Sequence, residues 1–267
     1  MPKQTLSFFE DVVQTLTKGE THKVWSILIS IFGDLAREPG DEISSPLLTE
    51  MTKELGIKPE AMRVALHRLR KDNWIDRRRE GRLSIYFLSS KGYMETNAAS
   101  PKIYAKTTTN SSNWHLIINN QSTSKNSSRS HNKNYTRIAP NCFLGMGLES
   151  DFNKNEFVFQ GQVLNVPDWM KNLVFDRQLN KLINDLEIRL TTLSRKINNA
   201  ENLSEIQSAI LRSVLVHCWR RVALRIPNLP NNFFNHGWKG DVCRDLFLEL
   251  ITKIKKPSIK NLEKILH

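Results

Sequence analysis

The sequence predicts a multidomain α+β chain that opens with a winged helix-turn-helix. Three observations carry this prediction. A short helix, a tight turn and a basic amphipathic helix follow one another between Ser45 and Lys71. An arginine-laden hairpin comes directly after them. Helical periodicity then returns from Pro167 onward, behind a strand-rich middle. At 267 residues the chain is longer than one typical domain. The expected division is 1–97, a DNA-reading winged helix; 98–168, a mixed α+β part; and 169–267, a mostly helical part.

Taken in order, Leu6, Phe9, Val13 and Leu16 recur at helical spacing and predict a short helix. It either docks on a partner surface or packs on its own domain. Val24, Trp25, Ile27, Leu28, Ile31, Phe32 and Leu35 predict a central core helix, which Pro39-Gly40 stops. Ser44-Ser45-Pro46 reads as an N-cap with proline in the first turn. It starts a helix whose core face is Leu47, Leu48, Met51 and Leu55, and Gly56 ends that helix. The next helix, Pro59 to Lys71, buries Met62, Ala65, Leu66 and Leu69 and leaves Glu60, Arg63, His67, Arg70 and Lys71 outward. An ordinary solvated basic face is the bland alternative.

The hairpin that follows weighs against that alternative. Trp74 to Arg78 reads as one strand, Arg79-Glu80-Gly81 as the turn, and Leu83 to Leu88 as the second strand, with Leu83, Ile85 and Phe87 on one face. A tip of Arg77, Arg78, Arg79 and Arg82 makes little sense as core and suits a phosphate backbone or a minor groove. Discrimination requires side chains at base edges, and Arg63 is the first choice because arginine donates two hydrogen bonds to guanine. Lys58, Arg68, Lys71 and the wing arginines are expected on phosphates, with His67 beside Arg63 on the reading helix.

From Met94 to Ser112 the composition turns to Asn, Ser, Thr and Lys, which predicts a linker. No Asp or Glu occurs from Thr96 to Leu148. Strands are expected at Trp114 to Ile118, around Asn141 to Gly147 and at Glu156 to Val163, with a weak helix from about Ser124 to Tyr135. That helix would stack Lys125, Arg129 and Lys133 into a cationic ridge near Arg137. Leu173 through Leu193, Ile206 through Trp219 and Val242 to Ile254 then read as helices.

A net charge of +12 implies anionic partners, nucleic acid or a phosphorylated metabolite. No apolar run approaches the roughly 20 residues of a membrane span, and the start has no signal-peptide pattern, so a cytoplasmic location without a membrane partner is expected. Cys142, Cys218 and Cys243 form no CxxC unit and are expected as reduced core thiols, with no metal site. No Ser-His-Asp or Cys-His arrangement can be inferred from spacing and no phosphate-binding glycine-rich loop appears, so no catalytic residues or cofactors are expected.

The segments Val24-Trp25-Ser26-Ile27-Leu28, Gly33-Asp34, Met62 to Leu69, Asn73-Trp74 and Gly81 to Tyr86 resemble the PaaX-type repressors of phenylacetate catabolism. So do Val216-His217, Trp219-Arg220-Arg221, Leu229-Pro230 and Gly237 to Gly240. The resemblance spans most of the chain and is strongest in its first hundred residues. It implies a homodimer with a winged helix, a ferredoxin-like middle domain similar to Cas2 nucleases, and a helical C-terminal domain. It also implies that the protein binds double-stranded operator DNA and is released by an aryl-CoA thioester such as phenylacetyl-CoA. Carried over, the DNA-reading residues are Arg63, His67, Arg68 and wing Arg82. The chain departs from the family pattern at Arg225 to Pro230, which lacks the usual acidic residue, and at Cys218.

Two groups are the expected ligand contacts. Arg129, Lys133 and Arg137 would hold CoA phosphates or assist DNA binding, against a solvated face as the bland alternative. His217, Arg220 and Arg221, at i, i+3 and i+4, would converge on one anion, against an interdomain salt bridge. A Cas2-like nuclease needs a carboxylate at the end of its first strand, and here that strand ends in Asn119-Asn120. The alternative to a ligand-released repressor is a dimeric nucleic-acid-binding protein that senses nothing.

Overall fold

A computed structural model of the protein describes residues 7–17, 23–106, 114–120, 135–145, 152, 154–174, 177–197, 203–234 and 236–266. The chain divides into two compact units, Met1–Lys106 with Asp185–Ala223 and Val242–His267, and Thr107–Asn184 with Leu224–Asp241. Helices thus predominate, with two small antiparallel sheets, as an α+β chain requires.

In the first unit, α1 (Phe8–Thr17) starts at a reciprocal cap. The Ser7 amide donates to Glu10 Oε2 at 2.8 Å while the Glu10 amide donates to Ser7 Oγ. Those hydrogen bonds to Ser7, the backbone one foremost, hold the Glu10 carboxyl below its ordinary pKa. Phe9, Val12 and Leu16 are buried against α8 (Glu205–Ala223), so α1 packs on its own unit. The core helix α2 (Val24–Leu35) also packs on α8.

Strand β1 (Ile43–Ser44) leads into α3 (Ser45–Glu54), where Ser44 Oγ accepts from the Leu47 amide at 3.3 Å. The helix ends as the sequence predicts: Gly56 has φ +68°, and the Ile57 amide reaches back to Thr52 O at 3.0 Å. Leu55 is only half-buried, and Thr52 takes its place in the core. Helix α4 (Pro59–Lys71) buries Met62, Ala65, Leu66 and Leu69. It closes on Asn73 at φ +56°, with the Trp74 amide bonded to Leu69 O.

The hairpin differs from its expected form. Strands β2 (Ile75–Glu80) and β3 (Leu83–Leu88) pair Arg79 with Ser84 and Glu80 with Leu83, so the turn is Gly81-Arg82 alone. A two-residue turn needs a first residue at positive φ, and Gly81 supplies +57°. On β3 Tyr86, paired with Ile43 and Arg77, is buried, while Leu83, Ile85 and Phe87 on the opposite face are half-buried.

The expected linker from Met94 is corrected too, because α5 (Ser90–Tyr104) runs through it. Ser89 Oγ caps it by accepting from the Gly92 amide at 3.1 Å, and Ile103 is buried. Any Cβ at position 92 would lie 2.0 Å from Trp74 O, so this helix start needs glycine for its close approach to the end of α4.

The second unit holds an antiparallel sheet of β4 (Trp114–Asn119), β5 (Tyr135–Ala139), β6 (Cys142–Gly145) and β7 (Glu156–Gly161), in the order β5-β6-β4-β7. Ile117, Tyr135 and Phe143 form its core, with Phe152 and Val158 packed against them. Helix α6 (Asp168–Val174) lies against β5. The expected helix from Ser124 to Tyr135 falls almost wholly outside the described residues.

Helix α7 (Arg177–Lys196) precedes α8, and α9 (Gly240–Lys253) and α10 (Ile259–Ile265) close the chain. The sequence reading groups α7 to α10 together. In the structure α8, α10 and nearly all of α9 share a unit with the N-terminal helices. The joint is polar as well as apolar. Buried Asp34 of α2 accepts from Arg212 Nε at 2.7 Å and from the Tyr104 hydroxyl at 2.9 Å. Arg212 also donates to Ile251 O and Ile254 O at the end of α9. Burial first, then the Asp34 charge, pushes the Tyr104 phenol above its ordinary pKa. Trp219 Nε1 donates to Ile103 O at 2.8 Å and its ring stacks on Phe247.

Cys142, Cys218 and Cys243 are free thiols. Cys218 and Cys243 are buried, whereas Cys142 is half-exposed on β6 rather than in the core.

Candidate nucleic-acid interface

Lys58, Arg63, His67, Arg68 and Lys71 are all exposed on α4 and its N-cap, as are Arg77, Arg78, Arg79 and Arg82 on the hairpin. Their positions follow from the helix period. The buried stripe occupies one side of α4, which leaves every charged residue of the helix for solvent. Among the described residues Lys58, Arg63, His67, Arg70, Lys71, Arg77, Arg79 and Arg82 form no side-chain hydrogen bond or ion pair. Such unmatched cations on neighbouring elements suit the phosphates of a duplex.

Two of the nine predicted contacts are already engaged. Arg78 forks onto Glu42, with Nε donating to Oε1 at 3.0 Å and to Oε2 at 3.1 Å, while its Nη1 donates to Glu80 Oε2 at 2.7 Å. The hydrogen bond to Glu42, then that to Glu80, raises the guanidinium pKa further, and Arg78 in turn lowers that of Glu42. Arg78 therefore brings matched charge and ties the wing to the segment before β1. The alternation of β2 explains the split, since Arg77 and Arg79 lie on one face and Arg78 with Glu80 on the other. Arg68 lies 5.0 Å over the Trp25 ring and 3.6 Å from Asp72, which draws it toward α2.

One residue of this surface escaped the sequence reading. Val64 is 70% exposed on α4, the one large hydrophobic side chain left exposed between Ile43 and Ser89. The signal was present in the helical period: residue 64 lies opposite the Met62, Ala65, Leu66, Leu69 stripe.

The second predicted group is not brought together on an open surface. His217 is 1% exposed, and its Nδ1 lies 3.4 Å from Ser30 Oγ of α2. Arg220 Nη2 donates to Ser26 Oγ at 2.9 Å and to Ser26 O at 3.2 Å, and burial, then the neighbouring Arg221 charge, lowers its pKa. Both thus contact α2 at the α2–α8 joint, while Arg221 is half-exposed and not without a partner. Arg137 is exposed on β5, with its Nε donating to Ala139 O at 3.3 Å. Arg129 and Lys133 lie outside the described residues, as does Lys125.

The comparisons with known proteins bear on what this surface serves. A family model described as PaaX-like protein matches residues 23–92, which contain the α3-turn-α4 and hairpin segment. A second, PaaX-like protein C-terminal domain, matches residues 175–264. The chain belongs to the PaaX family, a family of transcriptional repressors and not of enzymes. The transcriptional repressor PaaX of Escherichia coli K12 is 24% identical over 255 residues, spanning 86% of this chain and 79% of that protein. In fold, the chain is similar to the uncharacterised Mycobacterium tuberculosis protein Rv0674, at a TM-score of 0.51 and 18% identity over 92% of this chain and 99% of that one. Among the described residues no helix is long and apolar enough to cross a membrane.

Proposed function

We propose that the protein is a dimeric bacterial repressor that binds two-fold operator DNA through a winged helix formed by α3, α4 and the β2-β3 hairpin. In this reading α4 enters the major groove, Arg63 and His67 reach base edges, and Lys58, Lys71, Arg77, Arg79 and Arg82 neutralise phosphates. The carrying observation is the set of exposed, unpaired cations on α4 and the hairpin, inside the segment that the PaaX-like model matches. An aryl-CoA thioester, phenylacetyl-CoA for an aromatic-acid catabolic operon, releases the operator by favouring a different spacing of the two reading helices. The second unit serves as the ferredoxin-like middle domain, and the protein works in the cytoplasm.

Linkage supplies the test. A thioester that weakens operator binding must itself bind the DNA-bound protein less tightly, by the same factor. Equal thioester affinity with and without operator removes the sensing role. The alternative, a dimeric binder that senses nothing, gains from one observation: His217 is buried and both it and Arg220 contact serines of α2, so the pair is not displayed on an open surface. Steep salt dependence with little operator preference would establish that alternative.

A further inference from the structure

Resting on the DNA-reading role of α4, we propose that Val64 is a specificity-determining residue that packs on the C5-methyl group of a thymine in the major groove. At 100° per residue, Glu60, Val64, His67 and Lys71 form the pole of α4 that faces directly away from Met62, Ala65, Leu66 and Leu69. Arg63 and Arg68 flank this pole, and Arg68 is drawn aside onto Trp25. One of the two side chains nearest this pole at mid-helix, beside His67, is therefore aliphatic.

The fold itself gives Val64 no task. At 70% exposure it contributes nothing to the core, and a β-branched residue in a helix interior is a poorer helix former than Ala, Lys or Glu. A single exposed hydrophobic side chain is unremarkable on an arbitrary surface. Here it sits between unpaired Arg63 and His67, on the surface whose cations suit a phosphate backbone. Within the major groove only thymine presents a methyl group, and an aliphatic side chain is the partner that recognises it. Glu60, one turn earlier on the same pole, would accept from a cytosine amino group, which adds a second polarity to the same reading face.

The experiment begins by selecting preferred duplexes for the full-length protein from a random pool. Each thymine of the selected site is then replaced by uracil, which removes the methyl and nothing else. One thymine per half-site is expected to show a loss of roughly fourfold in affinity, the equivalent of one buried methyl group. The Val64→Ala protein should lose a similar factor on the thymine duplex and show no further loss on the uracil duplex. Alanine is the better helix former, so this variant keeps the fold.

Selection of a clear site with no thymine sensitive to uracil overturns the inference and leaves the DNA-reading role intact. So does a methyl dependence that Val64→Ala retains in full. Failure of the pool to enrich any sequence would overturn both the reading role and this inference.

Discussion

Replacing Asp34 by Ala should destabilise the first unit far more than removal of any surface ion pair. Asp34 is 3% exposed and its partner Arg212 is 13% exposed, so the substitution strands a guanidinium in a largely dry site and leaves the Tyr104 hydroxyl without its acceptor. Breaking one side of a buried pair costs about 3–5 kcal/mol. Arg212 keeps its donations to Ile251 O at 2.8 Å and Ile254 O at 3.1 Å, which places the expected loss near ~3 kcal/mol, at the lower end of that range. For a unit of this size that corresponds to a Tm lower by roughly 10 °C. Thermal and urea unfolding followed by far-UV circular dichroism would read it. The partner variant Arg212→Met and the double variant complete a cycle. A Tm shift under about 3 °C for Asp34→Ala, or strict additivity of the two variants, would refute the account of how α2 is joined to α8 and α9.

The other predictions concern the interface and pH. Arg63→Ala should relax sequence preference, whereas Arg79→Ala should weaken operator and random DNA alike and lower the salt slope by about one; competition binding at several salt concentrations separates the two. Arg78→Ala should change DNA affinity less than Arg79→Ala, because Glu42 and Glu80 already match the Arg78 charge; a larger loss than for Arg79→Ala would contradict that assignment. Tyr104 has a folded-state pKa raised above the ordinary value of about 10. Its contribution to stability is therefore complete below pH ~10 and is lost as pH rises through that folded value. Urea midpoints between pH 9 and 11 should fall more steeply for the wild type than for Tyr104→Phe; parallel curves would count against it.

Much of the interface was legible in the sequence, because its boundaries are punctuated by residues with fixed backbone roles. Ser44, Pro46, Gly56 and Pro59 each sit where capping and turn geometry require them, so α3 and α4 fall within one or two residues of expectation. The hairpin turn was placed too early because Arg79 and Glu80 look like turn residues, while the ladder pairs them with Ser84 and Leu83. Polar composition hid α5, since burial of Gly92 against Trp74 and of Ile103 is a tertiary matter. The spacing of His217, Arg220 and Arg221 was correct, but spacing does not reveal which face of α8 is buried. Nothing local announces that Asp34 meets Arg212 and Tyr104 across 178 and 70 positions of sequence.

The most direct test of the central claim is binding of the purified protein to the intergenic DNA upstream of its own gene, against random DNA at moderate salt, with and without phenylacetyl-CoA. The account predicts selective binding that the thioester releases and that Arg63→Ala abolishes. Equal affinity for upstream and random DNA, unaffected by Arg63→Ala, would contradict it.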